Sequence, residues 1–454
     1  MAKRSLFGFL KRAGLGKESV LLTELTYEDS KDKSKTKADD LSAIKIQKGK
    51  YVSPLLRITP KTAPQIPVIG VGGAGVRIVS TITERLSKYK IKANLMGIET
   101  SKPELDQHEK ISHTYLIPDS NTGTGKQYRV GASKALAVRD ELKGEIESYL
   151  ESLEFELQHE IVFLILGSGG TGVGVGLEVA KILLDIGKRP VPFLVLPSEE
   201  ENTRIQFTAA VALYSLSYGP ADTCLKLTTI CIDNDYFVDE NTNHSYGALI
   251  PAINERIGAT IGDLMLSAEL VSDGYSADMN EFLEVFRQIK GIGVMTYMHS
   301  GSDYDKVRPF FNDKQSVSHS MDVNVFSSTR SFLFIQANRR QITAKDYRNL
   351  IADFNNSDIF PKLIEIEDDG INFEVRGIFT GITIPNKIED LMRDAQDVRV
   401  NILNVEVETR KEGRRNPKIE RLRDDEELEV KTGEELAKDS MIEFAKKARE
   451  EGGI

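Results

Sequence analysis

An apolar segment that stops at a glycine cluster constrains this chain more than any other feature. Residues 161–166 are uninterruptedly apolar, and residues 169–174 then contain four glycines and one threonine. A segment with helical periodicity follows over 177–185. Strand, glycine loop and helix in this order present backbone N–H groups and a helix N-terminus to a phosphate. A plain turn needs only one or two glycines, and the lysine of a Walker loop is missing, so the pattern predicts a phosphate cradle of another kind.

A second glycine loop lies about 100 residues earlier. It contains Gly70, Gly72, Gly73, Ala74 and Gly75, between a short apolar strand at 66–69 and a helical pattern at 76–86. With Glu99 ending the next strand, this alone is a fair dinucleotide fingerprint. The alternative to consider is therefore a nicotinamide- or flavin-binding oxidoreductase. A dinucleotide domain does not need the second, richer loop, so two loops at one sheet edge favour a polyphosphate held from two sides.

A third loop, Thr122–Lys126, lies between the other two. Gly123, Thr124 and Gly125 would add N–H donors, and Lys126 would add a cation near a terminal phosphate. A flexible surface loop is the alternative interpretation of the same residues.

Composition excludes several classes of protein. Among 454 residues the net charge is −10, which argues against bulk nucleic-acid binding. The two cysteines give no disulfide framework and indicate a reducing compartment, so we expect a cytoplasmic protein. The six histidines show no zinc-binding spacing. No apolar run approaches the ~18 residues of a membrane span.

The N-terminal segment 1–17 combines basic and apolar residues. It predicts either a short amphipathic helix on an anionic membrane or adaptor, or a disordered basic tail. Near the other end, 434–449 has a capping-box start and one apolar helical face, which indicates a contact with a protein partner.

Strands and helices alternate from residue 64, which predicts an α/β fold with a Rossmann-like parallel sheet and helices on both faces. A long helix is predicted over 249–272, with Pro251 in its first turn. More strands and fewer helices follow, which indicates a second α+β domain with a mixed sheet. The predicted divisions are an extension at 1–63, a nucleotide-binding domain at 64–248, the central helix at 249–272, an activation domain at 273–409, and a charged tail at 410–454.

These motifs, in this order, resemble the tubulin/FtsZ superfamily over roughly residues 64–400. The family's phosphate loop reads Gly-Gly-Gly-Thr-Gly-Thr-Gly, and five of its seven positions match here; Ser168 and Val173 depart. The matching residues are Gly169, Gly170, Thr171, Gly172 and Gly174. The resemblance implies the tubulin/FtsZ fold, with GTP or GDP and Mg²⁺ as cofactors, the Mg²⁺ held through the phosphates rather than by protein ligands.

The resemblance also assigns the rest of the nucleotide site. Glu200 and Arg204 would lie beside the ribose and base, and Asn234 and Asn254 would bind the guanine edge, where an amide can both donate and accept. Ile250 stands where the family usually has an aromatic residue for stacking. Glu99 would lie near the hydrated magnesium, and Ser101 departs from the usual acid there.

Asp278 and Glu281 have two interpretations. Asp-x-x-Glu before an apolar run is a capping box. The resemblance instead implies a catalytic pair that reaches the next subunit's γ-phosphate and polarises the attacking water.

The resemblance thus implies a GTPase that assembles head-to-tail into filaments, in cell division or cell-shape control. A slow or non-hydrolysing GTP-dependent scaffold and the dinucleotide oxidoreductase are the alternatives. The partner expected is a second copy of this chain, and direct nucleic-acid binding is not expected.

Overall fold

The computed structural model describes residues 66–118, 123–153, 160–219, 224–235, 246–270, 277–287, 291–300, 318–338, 343–352, 354, 358–366 and 373–395. The predicted amphipathic segment 1–17 and the predicted helix at 434–449 lie outside the described residues. The apolar patterns near 43–46 and 398–405 also predict strands, and these too lie outside the described residues.

The described strands belong to one mixed sheet. They are β1 (Val68–Val71), β2 (Met96–Glu99), β3 (His113–Leu116), β4 (Ile161–Gly167), β5 (Arg189–Leu196), β6 (Thr228–Asp233), β7 (Gly291–Ser300), β8 (Ser318–His319), β9 (Arg330–Asn338), β10 (Asp358–Ile366) and β11 (Phe373–Thr380). Their order is β10-β9-β11-β7-β6-β5-β4-β1-β2-β3, and β8 pairs with β7.

The helices alternate with the strands in the first half of the chain and are sparser in the second. They are α1 (Gly72–Lys88), α2 (Lys102–Leu105), α3 (Tyr128–Ala137), α4 (Arg139–Glu151), α5 (Gly170–Asp185), α6 (Thr203–Leu213), α7 (Tyr246–Glu269), α8 (Met279–Glu284), α9 (Ala344–Ala352) and α10 (386–395).

The first half of the sheet has the strand order 3-2-1-4-5-6, with every neighbouring pair parallel. This is the order of a doubly wound α/β sheet, in which ligands bind at the carboxyl ends of the strands where the order reverses. Here that point lies between β1 and β4. The predicted α/β class with a parallel sheet is confirmed.

Strand β4 shows why the sheet carries helices on both faces. All seven of its residues are buried. Val162, Leu164 and Leu166 belong to one hydrophobic core, and the alternate residues Ile161, Phe163 and Ile165 belong to the other. A strand buried on both faces reads as a continuous apolar run because successive side chains point to opposite sides.

The second half of the sheet is mixed, as predicted, but it continues the first half. Residues Thr228–Ile230 of β6 pair in parallel with Gly291–Gly293 of β7. Beyond β7, strand β11 is antiparallel to both β7 and β9, and β10 is parallel to β9. Three residue pairs join the mixed strands to the parallel strands, and the predicted domain division stays a prediction.

Several element bounds differ from the sequence-based prediction. The predicted helix over 134–153 is two helices, α3 and α4, which meet at Val138 with non-helical φ and ψ angles of −120° and 24°. The long helix spans 246–269 rather than 249–272, so Pro251 lies inside it. The short edge strand β3 was not predicted, because its four residues include two polar ones and only Tyr115 is buried.

A buried charge cluster joins α1, α7 and β11. Arg85 donates two hydrogen bonds to Asp263, at 2.8 and 2.6 Å, and the Tyr89 hydroxyl donates a third at 2.9 Å. The Arg376 guanidinium lies 3.3 Å from the same carboxylate, and Asp263 is fully buried. Two cations sharing one buried carboxylate hold the long helix against α1 and against β11.

Both cysteines, Cys224 and Cys231, are buried and unpaired. No helix in the described part of the chain has the length and apolar character needed to cross a bilayer.

Candidate functional site

The first glycine loop forms the turn from β1 into α1. Gly72 begins the helix with a φ of +75°, a backbone conformation that disfavours other residues. A Cβ on Gly75 would lie 2.4 Å from the Ile165 carbonyl oxygen, so this helix packs directly on β4. No side chain caps the N-terminus of α1. Its first N–H groups therefore remain available to an anion. Gly73 and Ala74 lie in the same first turn.

The second glycine loop makes the corresponding turn from β4 into α5. Gly169 occupies the N-cap position with ordinary extended angles, and no side chain caps this helix either. A Cβ on Gly172 would lie 2.2 Å from the Gly167 carbonyl oxygen, whereas a Cβ on Gly169 would meet nothing within 4 Å. Gly172 is thus required by packing, and Gly169 borders open space.

The structure brings the two glycine loops into contact. Strands β1 and β4 are parallel neighbours, with Val71 opposite Leu166. A Cβ on Gly72 would lie only 2.6 Å from the Gly172 nitrogen. Two uncapped helix N-termini therefore lie side by side at the carboxyl edge of the sheet, where their partial positive charges add. Val173 is fully buried in a core, so its side chain faces away from this edge.

Three threonines join the third loop to the other two. The Thr171 hydroxyl lies 2.7 Å from that of Thr100 and 3.4 Å from that of Thr124. All three side chains are buried. The Gly123 N–H also donates to the Thr100 carbonyl. The third loop is therefore part of the same edge rather than a separate surface turn, although Gly125 and Lys126 are themselves exposed.

Glu99 ends β2 beside these threonines. One of its oxygens accepts hydrogen bonds from the backbone N–H groups of Thr100 and Ser101, at 2.7 and 3.2 Å. The other oxygen, Oε2, is buried without a hydrogen-bond partner. Burial raises the pKa of Glu99, and the hydrogen bonds from Thr100 and Ser101 oppose that shift. An unpartnered buried oxygen is costly, and a hydrated magnesium ion would satisfy it.

This edge suits a magnesium–polyphosphate group. Uncapped helix N-termini and threonine hydroxyls can donate hydrogen bonds to the phosphates. One carboxylate oxygen, that of Glu99, can accept a hydrogen bond from water on the metal. Magnesium commonly keeps several waters and is held through phosphates with one or two carboxylates. In the described residues there is no group of three or more His, Cys, Asp and Glu side chains that could hold a metal directly.

The residues assigned to ribose and base lie at the ends of β5, β6 and α7. Glu200 and Arg204 are exposed, Asn234 is half-buried, and Asn254 is buried. Ile250 is one helical turn before Asn254 and is 36% exposed, an unusual position for a large apolar side chain. An exposed apolar surface beside a buried amide is compatible with a base lying against both.

Asp235 connects the loops that follow β5 and β6 with the helix α10. Its Oδ2 accepts a hydrogen bond from the Glu199 N–H at 2.8 Å and pairs with Lys387 from α10. Burial alone would lower the pKa of Lys387, but its hydrogen bond to Asp235 and the charges of Asp233, Asp235 and Glu199 together outweigh burial, and the pKa is raised. The loops after β5 and β6 are thereby joined to the last described helix. Glu199 and Asp235 follow parallel neighbouring strands, so their approach comes from the sheet.

The neighbouring Asp233 is the most perturbed carboxylate of this region. Its side chain is 6% exposed. Burial raises its pKa from 3.8 to about 6, while Lys387 and the Asp235 N–H pull in the other direction.

The acidic pair is not near the glycine loops. Asp278 and Glu281 follow the C-terminal end of α7, whereas Asn254 lies in its N-terminal half. The fifteen residues between Asn254 and Glu269 correspond to roughly 20 Å of helix. Within one subunit the structure therefore separates the pair from the phosphate cradle.

The pair also forms the capping box that its spacing predicts. Asp278 accepts the Glu281 N–H at 2.9 Å, and Glu281 accepts the Asp278 N–H at 3.0 Å. Asp278 is exposed and Glu281 half-buried, so the pair lies at the surface. Capping the start of α8 is compatible with a contact between this acidic pair and a group outside the chain.

Sequence reasoning missed four residues of this region: Thr100, Asp233, Asp235 and Lys387. Thr100 stands between two residues that the resemblance had singled out, and the Asp residues flank Asn234, so proximity in sequence could have indicated them. Lys387 is about 150 residues away, and no local pattern marks it.

Comparison with known proteins shows which family this region resembles. Residues 65–241 match the model of the "Tubulin/FtsZ family, GTPase domain". The matched region contains the three loops, Glu99 and the ends of β5 and β6. The model that it matches describes a GTPase domain rather than a dinucleotide-binding one.

The curated relatives of this chain are distant. Cell division protein FtsZ 1 from Pyrococcus woesei is 27% identical over 193 residues, which cover 41% of this chain and 46% of that protein. FtsZ 1 from Pyrococcus furiosus is also 27% identical, over 41% of this chain and 45% of the relative. The chain thus spans less than half the length of the curated relatives that it matches.

Solved structures extend the likeness to the second half of the sheet. A GTPγS-bound protofilament of CetZ2 from Haloferax volcanii has a TM-score of 0.62 at 20% identity, over 74% of this chain and 99% of the other. An empty FtsZ dimer from M. jannaschii has a TM-score of 0.56 at 21% identity, over 70% and 89%. The predicted tubulin/FtsZ fold is confirmed.

Proposed function

We propose that this protein is a tubulin/FtsZ superfamily member that binds GTP across its two glycine loops and hydrolyses it in head-to-tail filaments. The observation that carries the proposal is the contact between Gly72 and Gly172, which places two uncapped helix N-termini at one point. Such termini bind phosphate through backbone N–H groups. The separation of Asp278 and Glu281 from that point supports a site completed by a second copy of the chain.

In the proposed site the phosphates lie against Gly72–Gly75 and Gly169–Gly172. The Thr171 and Thr124 hydroxyls donate to phosphate oxygens, and Lys126 supplies a cation at the open side. Glu99 accepts a hydrogen bond from water on Mg²⁺ through its buried Oε2. The metal, when bound, neutralises charge on the phosphates.

At the other end, Asn234 and Asn254 contact the base, Ile250 packs against it, and Glu200 and Arg204 flank the ribose. Asp235 holds the loops after β5 and β6 at a fixed separation through Glu199 and Lys387. An amide that both donates and accepts distinguishes guanine from adenine by its Watson–Crick edge.

Hydrolysis in this proposal needs two subunits. Asp278 and Glu281 of one copy orient and polarise the water that attacks the γ-phosphate bound by the next copy. Heterologous contacts of this kind build open filaments rather than closed rings when the rotation does not close. The proposed setting is the cytoplasm, in cell division or cell-shape control.

The experiment is phosphate release from GTP and from ATP over a series of protein concentrations, with electron microscopy of the same samples. We expect GTP-selective release that rises more than linearly with protein concentration, together with filaments. Release strictly proportional to protein concentration would contradict the shared site.

One observation favours a second candidate, a GTP-dependent scaffold that hydrolyses slowly or not at all. Both members of the acidic pair are engaged in the capping box, and the Val173 side chain is buried in a core instead of offering a hydroxyl. This candidate gives GTP-stabilised filaments without phosphate release in the same experiment.

A further inference from the structure

Lys362 is a buried cation at the centre of the edge strand β10. Its side chain is only 2% exposed, although lysine is almost never fully buried unless it is paired. The ammonium group donates a hydrogen bond of 2.8 Å to the Ala268 carbonyl oxygen. Ala268 lies in the last turn of α7, where carbonyl groups lack helical partners and the helix dipole favours a cation.

The charges around Lys362 are those of the acidic pair. Burial lowers the pKa of Lys362 to about 8, while Glu269, Asp278 and Glu281 favour its charged form. Glu269 comes from the end of α7, and Asp278 and Glu281 come from the start of α8. On the neighbouring strand β9 the register partner is the apolar Phe334. The one buried cation of this strand therefore acts on three carboxylates from two helices.

The residue before Lys362 makes a second connection. The Pro361 carbonyl oxygen accepts a hydrogen bond of 3.0 Å from the Ala277 N–H. Ala277 is buried and directly precedes Asp278. Two consecutive residues of β10 thus hold the end of the long helix and the beginning of the acidic pair's helix.

We propose that Lys362 is a positioning residue for Asp278 and Glu281, which it holds against the end of α7. The inference rests on the proposed hydrolysis by an acidic pair from the neighbouring subunit. The ammonium offsets the electrostatic repulsion between the two carboxylates, so that both can remain side by side as a water-polarising pair requires. Lys362 touches neither water nor nucleotide; it acts through the pair.

Capping the end of α7 is one role for this charge. Burying an ion nevertheless carries a desolvation cost that an apolar side chain of similar volume avoids. Methionine has nearly the length of lysine and would fill the same space. A positioning role explains why the buried side chain beside the acidic pair is a cation.

The test compares Lys362→Met and Lys362→Arg in the full chain. We expect Lys362→Met to lower kcat for GTP hydrolysis at least tenfold while the affinity for a fluorescent GTP analogue stays within twofold. Lys362→Arg should retain more than half of the wild-type kcat because arginine keeps the charge. Circular dichroism and urea unfolding establish that each variant is folded.

The pH profile separates positioning from packing. In the wild type, kcat should fall as pH rises through about 8, because Lys362 loses its proton there. Lys362→Arg should lack this fall because arginine stays charged, and Lys362→Met should be low and flat over the same range.

Arg330→Met is the matched control. Arg330 lies on the adjacent strand β9. It contacts the C-terminal end of α8, the helix that begins with the acidic pair, by donating a hydrogen bond of 2.8 Å to the Glu284 carbonyl oxygen. Removing this cation should leave kcat within twofold of wild type.

Mixing subunits tests which site Lys362 serves. Gly169→Asp places a carboxylate in the phosphate cradle but leaves that subunit's acidic pair intact. A 1:1 mixture of Lys362→Met with Gly169→Asp should hydrolyse GTP faster than the sum of the rates of the two variants alone. In the mixture, the unaltered cradle of a Lys362→Met subunit can meet the unaltered Lys362 and acidic pair of a Gly169→Asp subunit.

The outcomes separate the two ideas. If the wild type hydrolyses GTP and Lys362→Met keeps its kcat within twofold, or the mixture only equals the sum, the positioning role is wrong while the proposed function stands. If the wild type releases no phosphate under conditions that give filaments, both the proposed hydrolysis and this inference are overturned.

Discussion

Gly72 and Gly172 belong to different loops, yet a Cβ on Gly72 would lie 2.6 Å from the backbone nitrogen of Gly172. Real Cβ atoms do not approach backbone that closely, so the first loop cannot gain a side chain at Gly72 without moving the second. The glycines therefore fall into two classes: those that the packing of the loops requires, and those that border the space left for a ligand.

The first prediction separates these two classes. Gly172→Ala should destabilise the fold by about 1–3 kcal/mol, because its Cβ would meet the Gly167 carbonyl at 2.2 Å. Gly169→Asp should fold normally, since its angles are extended and nothing lies within 4 Å of its Cβ, but should lose GTP binding. Urea unfolding and titration with a fluorescent GTP analogue measure the two effects. Normal GTP affinity in a folded Gly169→Asp would place the phosphates elsewhere.

The second prediction concerns the two roles of Asp278. Asparagine caps helices about as well as aspartate, so Asp278→Asn should change stability by only a few tenths of a kcal/mol. Loss of the carboxylate should nevertheless lower the phosphate-release rate by about 100-fold, within the usual range for a general base. Nucleotide affinity should not change.

Asn324→Ala is its control. It removes another side-chain cap, the hydrogen bond from the Phe326 N–H at 3.1 Å, without touching a carboxylate. This variant should lose stability and keep the release rate. Full hydrolysis by Asp278→Asn would leave the pair with a capping role only.

The third prediction uses the unpartnered oxygen of Glu99. Glutamine at this position can still accept the hydrogen bonds from Thr100 and Ser101, but it no longer carries the charge that burial disfavours. Glu99→Gln should therefore be at least as stable as wild type. Its GTP affinity should fall about tenfold in Mg²⁺ and stay unchanged in EDTA; equal losses in both buffers would exclude a contact to the metal's water shell.

The fourth prediction concerns Asp233 and pH. Because the pKa rises from 3.8 to about 6 on folding, the folded state holds more protons than the unfolded state between these values. The contribution of Asp233 to the free energy of unfolding therefore falls as pH rises from 3.8 to about 6. The difference of about two units corresponds to about 3 kcal/mol.

Asp233→Asn removes this dependence. The variant should match wild type near pH 3.5 and exceed its free energy of unfolding by up to about 3 kcal/mol at pH 7. Urea unfolding at a series of pH values measures this difference. A difference that does not depend on pH would show that Asp233 is not perturbed by burial.

The sequence predicted those parts of the fold that local patterns encode. The continuous apolar run of β4 predicts a strand buried on both faces, and the glycine loops at its end and at the end of β1 indicate helix N-termini. The capping-box spacing of Asp278 and Glu281 predicts the cap that the structure contains. Each of these signals lies within about ten consecutive residues.

The remaining features depend on contacts between distant residues. The pairing of β6 with β7, the ion pair of Lys387 with Asp235 and the sharing of Asp263 by Arg85 and Arg376 have no local sequence signal. Strand β3 is short and partly polar, so only its pairing with β2 makes it a strand. Burial of Lys362 is likewise invisible, because a lysine in a strand pattern usually faces solvent.

The Pro361–Ala277 contact also affects growth at the outer margin of the sheet. Strand β10 ends the order of the described strands, and an edge strand invites pairing with a strand from another molecule. At the middle of β10, however, proline has no N–H to donate, and its carbonyl already accepts a hydrogen bond from Ala277. Pairing with the sheet of another molecule is therefore blocked at this point, which guards the edge against amyloid-like stacking.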